Sequence, residues 1–138
     1  MLVPEDKIAS LTLVPNRFVR TPHMLVVDDD EATLDLLTQV FSSTCEVTAC
    51  RDGEEALRML AQQPFDMVLL DIMMPNMSGL EVLEAIRRDE TLVELPVILI
   101  SARTSQNDVI EGLQRGANDY ISKPIDLSIA RARVNTQL

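Results

Sequence analysis

The sequence predicts an α/β domain built on a doubly wound, five-stranded parallel sheet with helices on both faces. Three observations carry this expectation. From Met24 onward, short apolar runs alternate with segments of helical period. The first, third and fourth runs are apolar throughout, as in strands buried on both sides. Polar residues then collect where the runs end, which in a parallel sheet is a single rim.

In chain order the strand runs are 24–27, 47–50, 67–70, 97–100 and 120–121, with helical stretches over 31–43, 54–63, 79–89, 105–116 and 126–138. In the last stretch Leu127, Ala130, Val134 and Leu138 follow the i, i+3, i+7, i+11 spacing of one helix face. The second run, within 46–50, and the fifth, within 119–122, mix polar and apolar residues, which edge strands tolerate. Placing those two at the edges gives the strand order 2-1-3-4-5.

The chain has 138 residues, 46% of them hydrophobic, enough for one domain with a single core. No apolar run approaches the ~18–20 residues of a membrane span, and Glu5 and Asp6 precede any apolar stretch, unlike a signal peptide. A net charge of −10 argues against direct nucleic-acid binding, which needs cations to displace phosphate counterions. Cys45 and Cys50 fit neither a redox pair nor a zinc site and read as small apolar fillers in a reducing, cytoplasmic compartment.

Residues 1–23 hold three basic and two acidic groups, a balance of +1 that leaves −11 for residues 24–138. With Pro4, Pro15 and Pro22 and no sustained period, residues 1–22 read as a leader or linker, and the domain as 23–138. The leader's Leu11, Leu13, Val14, Phe18 and Val19 could dock on a partner that the sequence does not name. His23, without a second histidine, reads as a residue before the first strand and neither a ligand nor a catalyst.

At the rim, strand one runs into Asp28-Asp29-Asp30-Glu31, strand three ends in Asp71, strand four in Ser101, and strand five leads into Lys123-Pro124. Strands one and three are neighbours in the expected order, so Asp28 or Asp29 converges with Asp71 at the switch point. Two like charges ~4 Å apart repel by ~4 kcal/mol at an effective dielectric near 20. Such a cluster needs a cation or a shared proton. An all-oxygen donor set suits Mg²⁺, and three carboxylates, one Mg²⁺ and one lysine cancel formally. Asp30 and Glu31 are accounted for by helix capping and the macrodipole. Taken singly, Asp71 is an ordinary turn residue, Ser101 a helix-start hydroxyl and Lys123 a solvated charge. Yet Lys123 is the only lysine after Lys7, among eight arginines, and together on one rim the bland readings demand five coincidences.

The segments LVVDDDE (25–31), MVLLDIMMPNMSGLEVL (67–83), PVILISA (96–102) and GANDYISKP (116–124) closely resemble, collinearly over 24–138, the receiver domain of two-component response regulators. The resemblance implies a flavodoxin-like fold and a phosphoacceptor function. It implies that Asp71 takes a phosphoryl group from a partner histidine kinase or phosphotransfer protein. Asp28, Asp29 and Asp71 would hold Mg²⁺ together with the backbone carbonyl of Met73. Lys123 would pair with phosphoryl oxygens, the Lys123–Pro124 bond would be cis, and Ser101 and Tyr120 would form a switch. That switch would repack the surface of helix 105–116, strand five and helix 126–138, with Asp119 and Arg131 as intersubunit pairs of a homodimer. An output domain or partner would lie outside this sequence. Position 101 is Ser where the family commonly has Thr, and the leader has no family counterpart.

Three rivals differ in class. A flavin- or nucleotide-binding domain wants a glycine-rich phosphate loop after strand one, where this chain has four acids. An aspartyl-phosphate phosphatase shows a second Asp two residues after the nucleophile, where this chain has Met73. A degenerate receiver, acting as an interaction module without phosphorylation, would lack some of the five site residues found here.

Overall fold

The computed structural model describes residues 20–102 and 104–138. Its elements run β1 (His23–Val27), α1 (Glu31–Phe41), β2 (Glu46–Cys50), α2 (Gly53–Gln62), β3 (Met67–Asp71), α3 (Gly79–Arg88), β4 (Val97–Ala102), α4 (Gln106–Gln114), β5 (Asp119–Lys123) and α5 (Leu127–Gln137). All pairings are parallel, in the order β2-β1-β3-β4-β5, which is the fold the sequence predicts.

Alternation along the central strands divides the core in two. Leu25, Val27, Val68, Leu70, Val97 and Leu99 face α2, α3 and α4. Met24, Val26, Met67, Leu69, Ile98 and Ile100 face α1 and α5. Each fully buried side chain of this size contributes roughly 1.5–3 kcal/mol. β2 and β5 carry the mixed burial of edge strands.

Element ends differ from the sequence expectation because capping, not periodicity, sets them. Asp126 lies outside α5, where its side chain accepts from the Ser128 and Ile129 amides. Gly116, at φ +108°, stands past the end of α4. His23 belongs to β1 and does not precede it: its carbonyl accepts from the Asp66 amide at 2.7 Å. Its ring packs tilted, at 40°, against Phe65 with centroids 4.2 Å apart, and Nε2 bonds the Thr48 hydroxyl.

At the amino-terminal edge of the sheet Arg87, near the end of α3, ties the α3–β4 and α4–β5 connections together. Its guanidinium donates to the Leu95 carbonyl (2.7 Å), twice to the Gly116 carbonyl (3.0 and 2.8 Å) and to Asn118 Oδ1 (3.0 Å). Asn118 Oδ1 also accepts from the Val97 amide, and the Asn118 amide donates back to the Val97 carbonyl.

Candidate functional site

The pairing of β1 with β3 sets Val27 opposite Leu70, so the next residues, Asp28 and Asp71, emerge side by side at the carboxyl rim. Asp28 is fully buried, Asp71 is 3% exposed, and Asp29 faces solvent. One carboxylate oxygen from each of the three lies within 4.8 Å of the others. Asp30 turns away as the cap of α1, accepting from the Ala32 amide and the Thr33 hydroxyl, while its own amide donates to Asp28 Oδ1 at 2.9 Å.

Gly79 permits the close approach that frames the acceptor side. A Cβ there would stand 2.2 Å from the Asp71 carbonyl oxygen and 2.8 Å from Ile72 Cα, so only glycine lets α3 begin against the end of β3. The Gly79 amide donates to the Ile72 carbonyl at 2.8 Å. The Met73 amide reaches Asp71 Oδ1 at 3.4 Å, and the Met73 side chain is exposed.

Lys123 enters from the far edge. β5 pairs with β4 through Ala102, and the long side chain crosses the rim to bring Nζ 3.0 Å from Asp28 Oδ2 and 3.8 Å from Asp71 Oδ1. The Lys123–Pro124 peptide bond is cis. Burial first, then the neighbouring Asp28 charge, push Asp71 up to about 7, and Lys123 offsets only part of this. Burial pulls Lys123 down, but its close ion pairing with Asp28 and the charge of Asp71 outweigh it and leave it raised.

These residues pass a physical test for a hard dication. The donors are all oxygens, and Asp28 Oδ2 is buried without a well-directed hydrogen bond, although the Lys123 ammonium lies beside it. Asp28, Asp29 and Asp71 could hold such an ion at the open side of the cluster.

Ser101 is 1% exposed on β4, one residue beyond Ile100, the register partner of Asp71. A groove of about 530 Å³ separates α4 from β5, lined by Ser101, Val109, Ile110, Leu113, Tyr120 and Ser122. Tyr120 is half-buried there. The Arg133 guanidinium sits 5.1 Å from its ring centroid and donates to Asp119 Oδ1 (2.7 Å) and the Tyr120 carbonyl (2.9 Å). Asp119 is thus engaged within its own chain by Arg133, a residue the sequence reading passed over in favour of Arg131, which is exposed. The helix period alone does not separate the two: Arg133 lies three residues from core-facing Ala130, and Arg131 three from core-facing Val134.

Among the described residues no helix is long and apolar enough to cross a membrane. A profile of the response regulator receiver domain matches residues 24–135. The response regulator PleD of Caulobacter vibrioides is 42% identical over 114 residues, 82% of this chain and 25% of that protein. The transcriptional activator protein PfeR of Pseudomonas aeruginosa is 39% identical over 121 residues, 87% of this chain and 39% of that one. The chain therefore spans well under half the length of these relatives. A putative response regulator of Chloroflexus aurantiacus superposes with a TM-score of 0.82 at 28% identity, covering 86% of this chain and 98% of that one. Chemotaxis protein CheY4 of Vibrio cholerae superposes with a TM-score of 0.81 at 26% identity, covering 86% and 100%. Sheet order, the acidic rim with its crossing lysine, and a match over residues 24–135 agree: the chain belongs to the response regulator receiver domain family.

Proposed function

We propose that this receiver domain accepts a phosphoryl group on Asp71 from a histidine kinase or phosphotransfer partner, in a step that requires Mg²⁺. The observation that carries the reading is the Asp71 carboxylate, buried against Asp28 and within 3.8 Å of the Lys123 ammonium. In the reaction an Asp71 oxygen forms the new P–O bond as the P–N bond of a phosphohistidine breaks, and the electron pair returns to the imidazole nitrogen. Asp28, Asp29, Asp71 and the Met73 carbonyl would hold Mg²⁺, which when bound supplies positive charge for the phosphoryl oxygens. Lys123 pairs with one of those oxygens, and the Ser101 hydroxyl donates to another. The protein's share is positioning and charge neutralisation.

Phosphorylation then draws Ser101 inward and frees Tyr120 to follow into the groove beside it, shifting a pre-existing equilibrium of the α4–β5–α5 surface. Two features support this. The groove gives Tyr120 somewhere to go, and Ser105, at the start of α4, makes no side-chain cap, so that turn is weakly held. The same surface is the proposed homodimer contact, with Asp119 and Arg131 at the junction. Asp119 would exchange its Arg133 partner for a residue of the second copy, and an unchanged donor-dependent mass in Arg131→Ala would refute that role. The domain acts as a signalling acceptor in the cytoplasm, not as a turnover enzyme. Its output belongs to a further domain or a bound partner.

Incubation with acetyl phosphate and Mg²⁺ followed by intact mass tests the central claim. The expected result is a phosphoryl adduct that is absent in Asp71→Asn and lost with chelator. No adduct would favour the phosphorylation-independent interaction module, and rapid multiple turnover would favour a phosphatase.

A further inference from the structure

At the amino-terminal edge of the sheet, opposite the acidic rim, a groove of about 580 Å³ opens between the α2–β3 and α3–β4 connections. Its apolar floor is buried Phe65 and Leu95 with half-buried Leu92 and Pro96, and the acidic Asp66 and Glu94 stand in its walls. Asp66 also holds the incoming chain. Its two oxygens take Arg20 Nη1 and Nη2 at 2.8 and 2.7 Å, and Oδ2 accepts from the His23 amide at 2.7 Å. Arg20, the first described residue, thereby sits beside this groove, and residues 1–19 lie outside the described residues.

We propose that residues 11–19 of this chain dock in that groove, with Phe18 and Val19 nearest the Arg20–Asp66 tie and Leu11, Leu13 and Val14 further along. Reach is sufficient: at roughly 3.3–3.6 Å per residue, three residues beyond Arg20 already span about 10 Å. Chemistry is complementary. The first 23 residues carry a balance of +1 against −11 for the remainder, and Arg17 lies in the docking segment while Glu94 lines the receiving wall. Tethering lowers the affinity required. A short flexible connection gives an effective concentration in the millimolar range, so contacts too weak to hold a free peptide keep a tethered segment in place. The inference is independent of phosphoryl transfer, whose residues lie at the other end of the strands.

Hydrogen–deuterium exchange on the full chain tests it, comparing the native sequence with Phe18→Asp. Expected are slowed amides over 11–19 in the native chain and several-fold faster exchange over 61–66 and 91–96 in Phe18→Asp. Amides of β3 and β4 should be unchanged and so report an intact fold. Full exchange over 11–19 at the unprotected rate, with the groove indifferent to Phe18→Asp, overturns the proposal. So does protection that fades on dilution, which would mean that the segment occupies the groove of a second copy.

Discussion

Lys123 Nζ stands closer to Asp28, at 3.0 Å, than to Asp71, at 3.8 Å. One ammonium therefore serves two carboxylates and leans toward the one that is fully buried. A dication drawing on Asp28 would relieve that demand and leave the lysine free to turn toward whatever Asp71 carries.

Removing the ammonium should expose this division of labour. Lys123→Ala is expected to lower the rate of adduct formation from acetyl phosphate by roughly 10²-fold, the usual cost of one preorganised electrostatic donor. Lys123→Arg should restore little, because a planar guanidinium does not replace a compact point charge. Time-resolved intact mass gives both rates.

Asp71 also makes stability depend on pH. Its folded value, about 7, lies above its ordinary 3.8, so the folded chain favours the neutral acid. The associated stability is present in full below about pH 4 and is lost as pH rises through 7. Without divalent cation, the native chain should melt lower at pH 8 than at pH 5, and Asp71→Asn should flatten most of that slope. Added Mg²⁺ should recover more at pH 8 than at pH 5. Thermal melts at the two pH values, with chelator or Mg²⁺, check the sign, and parallel curves for native and variant would refute it.

Gly79→Ala puts a methyl group against backbone that cannot swing aside, 2.2 Å from the Asp71 carbonyl oxygen. The expected cost is about 1–3 kcal/mol of overpacking, with a further loss of phosphoryl acceptance as the end of β3 shifts. Denaturant melts and adduct yield measure the two effects separately.

Ser101→Ala should separate acceptance from response. The variant keeps Asp71, Lys123 and the acidic pair, so the adduct still forms, more slowly. The exchange change over α4 that accompanies phosphorylation in the native chain should shrink or vanish. An undiminished α4 response would remove Ser101 from the switch.

The sheet was legible because buried parallel strands announce themselves as unbroken apolar runs, and their ends then define a rim without any coordinates. Once the strand order was placed, Asp28 or Asp29 had to meet Asp71, and both do. What remained hidden depends on three-dimensional detail. Asp126 caps α5 where a periodicity reading includes it in the helix, and His23 opens β1 through a bond to Asp66, 43 residues away. Arg131 and Arg133 look equivalent in the sequence until the side of α5 that meets β5 is known, where Arg133 reaches Asp119. The raised pKa of Asp71 comes first from burial, which spacing does not report.

The Arg87 tie has a mechanical consequence. By fastening the start of β4, the turn before β5 and the tail of α3 to one guanidinium, it makes that pole of the molecule a fixed footing. Under the proposed switch, a perturbation at the opposite pole would then be resisted where β4 and β5 are tied, and would pass instead into α4, whose first turn lacks a side-chain cap. Loosening the footing with Arg87→Ala would let the strands creep, and the same chemical input would then move the outer surface less.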